Sequence, residues 1–334
     1  MSNVSSRCAV VNNSNSLLLN NHQHFLEPAY WRVLCLKQVF IMKSDQSPFL
    51  IENRDLYQKW RDTKLANYPR SIADIIVEVA DPKQLTEAEH EAMYDRLERA
   101  NMVIYVSPFK EADKDIPRRM AAQFGLERLN NNFMADSDGI TELRINPEGQ
   151  HPKYIPYTNR PINWHTDGYY NSEQIHGLLV HCVRSAAVGG ESELVDHEMA
   201  YLLLRDRSEE QLAALMQPDA MTIPEGVDSE GGPRGKSIGP VFSINDDGSL
   251  HMRYTARKRN IEWKDDPVTQ KAVASLIEIL DADKPYIFKG RLEAGMGLVS
   301  RNILHKRAGF DSAESSERLF YRARYFDAIP KREK

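Results

Sequence analysis

Asn163-Trp164-His165-Thr166-Asp167-Gly168 decides the reading of this 334-residue chain once it is set beside one distant histidine, His305. A His-x-Asp pair and a later histidine supply the ligands of a two-histidine, one-carboxylate Fe(II) site. In such a site the protein holds one face of an octahedral ion and leaves the other positions open. The spacing suits that chemistry because residues i and i+2 of an extended segment project to the same side. One strand end can deliver His165 and Asp167 together, and a second strand closes the set with His305. The tripeptide alone is common by chance, so its surroundings carry the weight.

Downstream, Ser300-Arg301-Asn302-Ile303-Leu304-His305 runs through a loop into Arg318-Leu319-Phe320-Tyr321-Arg322-Ala323-Arg324-Tyr325-Phe326. Period-two alternation puts Arg318, Phe320, Arg322, Arg324 and Phe326 on one face of a strand, with Leu319, Tyr321, Ala323 and Tyr325 on the other. Such a strand is either a surface strand with solvated or paired arginines, or a barrel wall whose guanidinium forks point inward to bind anions. Its place behind a candidate iron ligand favours the second. Shortly after the His-x-Asp stands Gly189-Gly190-Glu191-Ser192, where the glycines allow a tight turn and the Ser192 hydroxyl can share an anion with an arginine.

Taken together, these motifs resemble those of the taurine dioxygenase-like (TauD/TfdA) group of Fe(II)- and 2-oxoglutarate-dependent oxygenases, over roughly Thr86 to Phe326. The resemblance implies that His165, Asp167 and His305 are the iron ligands. It implies that Ser192, where the family usually has threonine, and Arg318 hold the distal carboxylate of 2-oxoglutarate, and that Arg322 takes an acidic group of the prime substrate. The loop between His305 and Arg318 is slightly longer than the family pattern, which leaves the roles of the two arginines exchangeable. Gly239-Pro240-Val241-Phe242 and Met252-Arg253-Tyr254 are similar to the glutarate-hydroxylase branch.

The implied fold is α+β, a double-stranded β-helix (jelly-roll) with helices packed outside; periodicity alone indicates only mixed α and β. The implied cofactors are Fe(II) and 2-oxoglutarate as cosubstrate, with dioxygen consumed and succinate and carbon dioxide released. Asp167, where family halogenases carry Gly or Ala, implies hydroxylation. Tyr154, Tyr157, Asn163, Tyr169, Tyr170 and Asn171 flank the His-x-Asp, with Arg322 and Arg324 opposite; Asn163, Tyr169 and Tyr170 are the candidate substrate contacts. Aromatic walls with an arginine suggest a small anionic or zwitterionic metabolite. Packing of the barrel mouth by these tyrosines is an equal alternative, and Glu142 or Asp327 is the alternative partner of Arg322.

Composition agrees. Charged residues make up 27% and hydrophobic ones 41%, with a net charge of −5 and no basic block, the profile of a globular protein with no nucleic-acid partner. Cys8, Cys35 and Cys182 are scattered without a C-x-x-C pattern, so neither a disulfide framework nor a zinc knuckle is indicated. No run reaches transmembrane length, and a cytoplasmic enzyme, monomeric or homo-oligomeric, is expected. Residues 1–41 are rich in Asn and Ser, with His22 and His24, and lack periodicity. They are read as a flexible extension before a single oxygenase domain, 42–334, with Met42 a candidate native start.

Along that domain, Thr86-Glu87-Ala88-Glu89 is a capping box leading a helix through Met93, Leu97 and Ala100. Met102–Val106 is expected as a strand, Ile116–Phe124 as a helix stopped by Gly125, and Ile175–Val183 as a strand carrying His176 and His181 in structural or solvated roles. His197–Leu204 and Ser208–Leu215 are expected helices, Val241–Ile244 and Leu250–Tyr254 a hairpin, and Val268–Leu280 a long helix. Pro285–Lys289 and Gly297–His305 are expected strands. Two further functions remain in play: a non-catalytic jelly-roll binding a metabolite or metal, and a zinc hydrolase using the same ligands.

Overall fold

A computed structural model of the protein describes residues 44–131, 137–145, 155–227, 233–257, 259–311 and 318–332. The N-terminal 1–41, with His22 and His24, and Tyr154 lie outside the described residues.

Two sheets frame the site. The first has six strands: β1 (Ile76–Glu78), β2 (Met102–Val106), β3 (Thr141–Leu143), β5 (Gly177–Arg184), β8 (Met296–Ser300) and β10 (Leu319–Tyr325). Their order is β1-β2-β8-β5-β10-β3. The second has four: β4 (Ile162–His165), β6 (Ser192–Val195), β7 (Phe288–Gly290) and β9 (Leu304–Arg307), ordered β7-β6-β9-β4. Neighbours are antiparallel except β1 and β2. The helices are α1 (Arg54–Asn67), α2 (Glu87–Ala100), α3 (Asp115–Ala122), α4 (His197–Arg207), α5 (Glu209–Leu215) and α6 (Pro267–Asp281).

Register explains which side chains meet. Residues paired across strands share a sheet face, so Ile76, Ile104, Leu298, Val180 and Arg322 form one continuous row. That row looks into a cavity between the two sheets. The intervening residues Tyr105, Leu179, Val299, Tyr321 and Ala323 face outward and pack against Met93 and Leu97 of α2 and Met120 of α3. Every residue of β10 is buried, because the strand lies inside the sheet and is covered on both faces. A solvated surface strand is thereby excluded.

Local chemistry sets the helix boundaries. Thr86 and Glu89 form the expected capping box of α2, Ser208 caps α5, and Asp266 caps α6 just before Pro267. The expected hairpin pairs Phe242–Ile244 with Leu250–Met252. Gly297–His305 is not one strand: it breaks at Arg301-Asn302-Ile303, where Asn302 adopts a left-handed φ of 48°, and β8 passes into β9 in the other sheet. Helix α1 and strand β1 carried no strong signal, since β1 is three residues long. His181 sits on the outer face, its Nδ1 2.9 Å from the Tyr105 hydroxyl, and burial pushes it down to about 4. His176 lies near His251, ring centres 5.0 Å apart and planes inclined by 60°. Both are structural.

A buried ion cluster fastens α1 to the core. The Lys64 ammonium lies 2.6 Å from Asp196 and 2.8 Å from Glu198, at the start of α4, and Lys331 reaches Glu198 from the C-terminal side. Burial opposes ionisation of Glu198, but Lys331 and Lys64 outweigh it and hold the carboxyl well below its ordinary value. Its stabilisation is therefore present above the unfolded-state value of about 4.3 and fades as pH falls through the lowered folded value. Lys64→Met leaves two buried carboxylates short of a partner, and a loss of about 3–5 kcal/mol is expected in denaturant titration. A loss below about 1 kcal/mol would show that the cluster reorganises around Lys331.

Candidate active site

The four-stranded sheet sets the site in two cross-strand rows. His165 of β4 pairs with His305 of β9 and His305 with Leu194 of β6; Ile162, Arg307, Ser192 and Gly290 form the next row. A bulge between β9 and β4 puts four β4 residues against three of β9, so that His165 and Ile162 both face the cavity. Asn163 and Trp164 look away, Asn163 to solvent and Trp164 against Lys306.

His165, Asp167 and His305 converge, with one potential ligand atom of each lying within 4.8 Å of the others. The His165 Nδ1 lies 2.9 Å from the Asn163 carbonyl, and the His305 Nδ1 lies 3.0 Å from that of Ile303. A carbonyl only accepts, so both Nδ1 atoms carry the proton and both Nε2 lone pairs are free for a metal. Burial, then His305, pushes His165 down to about 3, which keeps it neutral. Burial alone would raise the Asp167 carboxyl, but Arg322 and then Arg324 hold it ionised, far below the usual range. Asp167 Oδ2 accepts no hydrogen bond among the described residues. Two neutral imidazoles and a carboxylate with an idle oxygen fit a divalent iron.

Asn302 locks this arrangement. Its Oδ1 accepts from the Asp167 amide at 2.8 Å, and its Nδ2 donates to the Asp167 and Ile175 carbonyls at 2.9 and 2.7 Å. The residue lies three positions before His305, so it ties both ligand-bearing segments together. A left-handed Asn between two strand halves was the available signal. Asn302→Ala is expected to lower metal affinity by roughly 10–100-fold, as losses of supporting partners do; Asn302→Gly, which relieves φ but not the lost bonds, should be no better. Equilibrium metal titration checks this, and unchanged affinity in both variants would remove Asn302 from the site.

The cavity, about 270 Å³ in volume, contains the two histidines, Ser192, Arg307, Arg318, Phe320 and Arg322 among many aliphatic side chains. Its walls are thus aliphatic rather than aromatic. Gly189 and Gly190, both with φ near +78°, fold tightly against Gly309 and Phe310: a Cβ at Gly189 would lie 2.5 Å from the Gly309 carbonyl oxygen. That turn delivers Ser192 to the cavity. Arg307, which the sequence reading passed over, shares the His305 face two residues on; it and Arg318 flank the Phe310 ring at 4.9 and 5.0 Å. Burial, then the neighbouring Arg318, lowers Arg307 to about 9, and burial lowers Arg318 to about 10. Neither meets a carboxylate among the described residues.

Arg322 has its partner in Asp167, 3.4 Å from either carboxylate oxygen. Glu142 and Asp327, the alternatives, pair instead with Lys114 and Arg128, Glu142 opposite the outward Tyr321. Arg324 bonds the Tyr170 hydroxyl at 3.2 Å. Tyr169 is buried in the apolar core, and Asn163, Tyr157, Tyr169, Tyr170 and Asn171 lie outside the cavity lining.

The chain belongs to the taurine catabolism dioxygenase TauD, TfdA family, whose model matches residues 62–324. Its chemistry is that of a non-haem iron, 2-oxoglutarate-dependent dioxygenase. A curated relative, uridine-5'-phosphate dioxygenase from Amycolatopsis sp, is 29% identical over 198 residues, 56% of this chain and 68% of the relative. The oxygenase OrfP, solved with Fe, succinate and (3S)-hydroxy-L-Arg, superposes with a TM-score of 0.54 at 15% identity, over 73% of this chain and 81% of that one. PvcB from Pseudomonas aeruginosa gives 0.52 at 15% identity, over 78% and 87%. At such identities the two structures establish the fold.

Proposed function

We propose that the protein uses iron held by His165, Asp167 and His305 to hydroxylate a small anionic or zwitterionic metabolite, with 2-oxoglutarate converted to succinate and carbon dioxide. The observation that carries this is a divalent-metal ligand set opening on a cavity in which the buried Arg307 and Arg318 meet no carboxylate among the described residues. A buried unpaired charge is costly, so those arginines await a ligand anion. The two facing sheets make a double-stranded β-helix, and residues 42–334 form one oxygenase domain in a cytoplasmic protein, in keeping with the free thiol of Cys182. Among the described residues no helix is long and apolar enough to cross a membrane.

With iron and 2-oxoglutarate bound, dioxygen would be the oxidant, one oxygen atom passing to the substrate and the other to succinate; the chain supplies orientation and a shielded volume. Arg322 lies against Asp167, whereas Arg318 has no contact with the triad. The distal carboxylate of 2-oxoglutarate is the end remote from the metal, which assigns it to Arg318, Ser192 and Arg307, and leaves Arg322 for the prime substrate. Asn163 contributes its carbonyl to His165, and Tyr170 borders the site through Arg324, with Tyr169 edge-on behind it. The curated relative's phosphorylated nucleoside and the neighbours' amino acids are the classes to screen first. Iron-dependent succinate release, stimulated by one such acid, is the expected result. Iron binding without 2-oxoglutarate turnover would favour a non-catalytic binding protein.

A further inference from the structure

We infer that one aliphatic half of the cavity is the entry and holding site for dioxygen, a reading that rests on the oxygenase function proposed above. Strand order divides the cavity lining in two. The triad histidines, Arg307, Arg318 and Arg322 all come from β4, β9 and the start and middle of β10. The other half is built by β1, β2 and β8 of the six-stranded sheet and by β6 and β7 of the four-stranded one. Ile76, Ile104 and Leu298 line it from the first sheet and Leu194 from the second. They pack as one apolar cluster with Ile72, which precedes β1, and with Val180. Ile72 sits against the edge strand β7 because Gly290 is bare there: a Cβ would lie 2.5 Å from the Ile72 Cδ1. Arg291 also borders this half, but its Nε donates to Glu293 at 2.7 Å and its Nη1 to the Ala186 and Ala187 carbonyls at 3.3 Å.

This half joins the sheet edge to the metal ligands. Ile72 and Ile76 at its outer end are partly exposed, whereas Ile104, Leu298 and Leu194 further in are 2%, 4% and 5% exposed. Leu194 pairs with His305 across β6 and β9, and Val180 with Arg322 across β5 and β10. A carboxylate or an amine moved among these side chains would lose its hydration and gain no partner. Neither end of 2-oxoglutarate nor the charged group of a metabolite belongs there. Apolar cavities of this kind stay dry and take up apolar guests such as xenon. Among the reactants of a dioxygenase, dioxygen alone is small, uncharged and apolar, and it has to reach the triad. Space is sufficient. The cavity measures about 270 Å³ in all, and a water-sized guest needs only about 10–15 Å³ on that measure.

The test has two arms. In the first, xenon is titrated against full-length protein saturated with 2-oxoglutarate, and bound xenon is read from its NMR shift. A saturable site is expected in the native chain. Ile104→Phe, which places a ring in the aliphatic half, should weaken it by roughly tenfold or more. In the second arm, succinate release is followed as dioxygen is varied. Ile104→Phe is expected to raise KM for dioxygen by roughly tenfold, while KM for 2-oxoglutarate moves by less than about twofold. Ile76→Phe, at the sheet edge, is the second variant and carries the same expectations if overpacking stops Ile104→Phe from folding. An unchanged dioxygen requirement in a folded variant that has lost xenon overturns the inference. So does a rise confined to KM for the prime substrate, which would give this half to an apolar part of that substrate. Succinate release by a native chain that takes up no xenon sinks this inference alone. Xenon uptake without any succinate release sinks the oxygenase reading, and the inference with it.

Discussion

Asp167→Ala is expected to abolish stoichiometric iron binding and 2-oxoglutarate turnover, a loss well beyond the roughly 10–100-fold that follows removal of a mere supporting residue. The carboxylate does two things at once. It offers an oxygen that accepts no hydrogen bond among the described residues, and it neutralises Arg322 at 3.4 Å. Alanine therefore removes a ligand and also strands a guanidinium in the interior, so a fall in thermal stability is expected alongside. Asp167→Asn keeps the shape and the backbone lock to Asn302 but has no charge. It should fold more nearly as the native chain does and still fail to turn over. Succinate release and iron stoichiometry on both variants separate the effects. Native turnover in either one would mean that the metal is held elsewhere.

Much of this site was legible in the sequence because strand periodicity is short and exact pairing is not needed to read it. That His165 and Asp167 project together, and that the arginines of β10 share one face, follow from alternation alone; that this face is the inner one came from the strand's place behind His305. Boundaries of the capped helices α2 and α6 were equally local. What escaped depended on register and on single backbone angles. Nothing local says that β4 and β9 are offset by a bulge, which turns Asn163 away from the cavity and Ile162 into it. Nothing local says that Gly297–His305 must change sheets, although Asn302 hinted at it. The expected aromatic wall failed for the same reason: Tyr169 and Tyr170 follow a turn at Gly168, with φ of 71°, which carries them past the cavity towards the apolar core and Arg324. The partner of Arg322 was missed because Asp167 had already been given a role as ligand, and one carboxylate serves both.

Arg318→Ala is expected to raise the 2-oxoglutarate requirement by roughly 30-fold to a few thousand-fold. Loss of one partner from a buried charge pair costs about 2–5 kcal/mol, and each factor of ten is about 1.4 kcal/mol. Among the described residues, the Arg318 guanidinium has one long bond to the Leu143 carbonyl at 3.4 Å and otherwise the faces of Phe310 and Phe320. Its lowered affinity for a proton, from burial, reports the same deficit. A residue held this way stabilises the complex and not the empty protein. Two signs follow. The apo protein should lose little or no stability in Arg318→Ala, and the thermal protection that 2-oxoglutarate gives the native chain should vanish. Arg318→Lys should recover part of the affinity through charge without the two-pronged fit. Substituting Arg322 instead should disturb the Asp167 side of the site. If the cosubstrate requirement moved strongly in Arg322→Ala and hardly at all in Arg318→Ala, the two arginines would have to exchange roles.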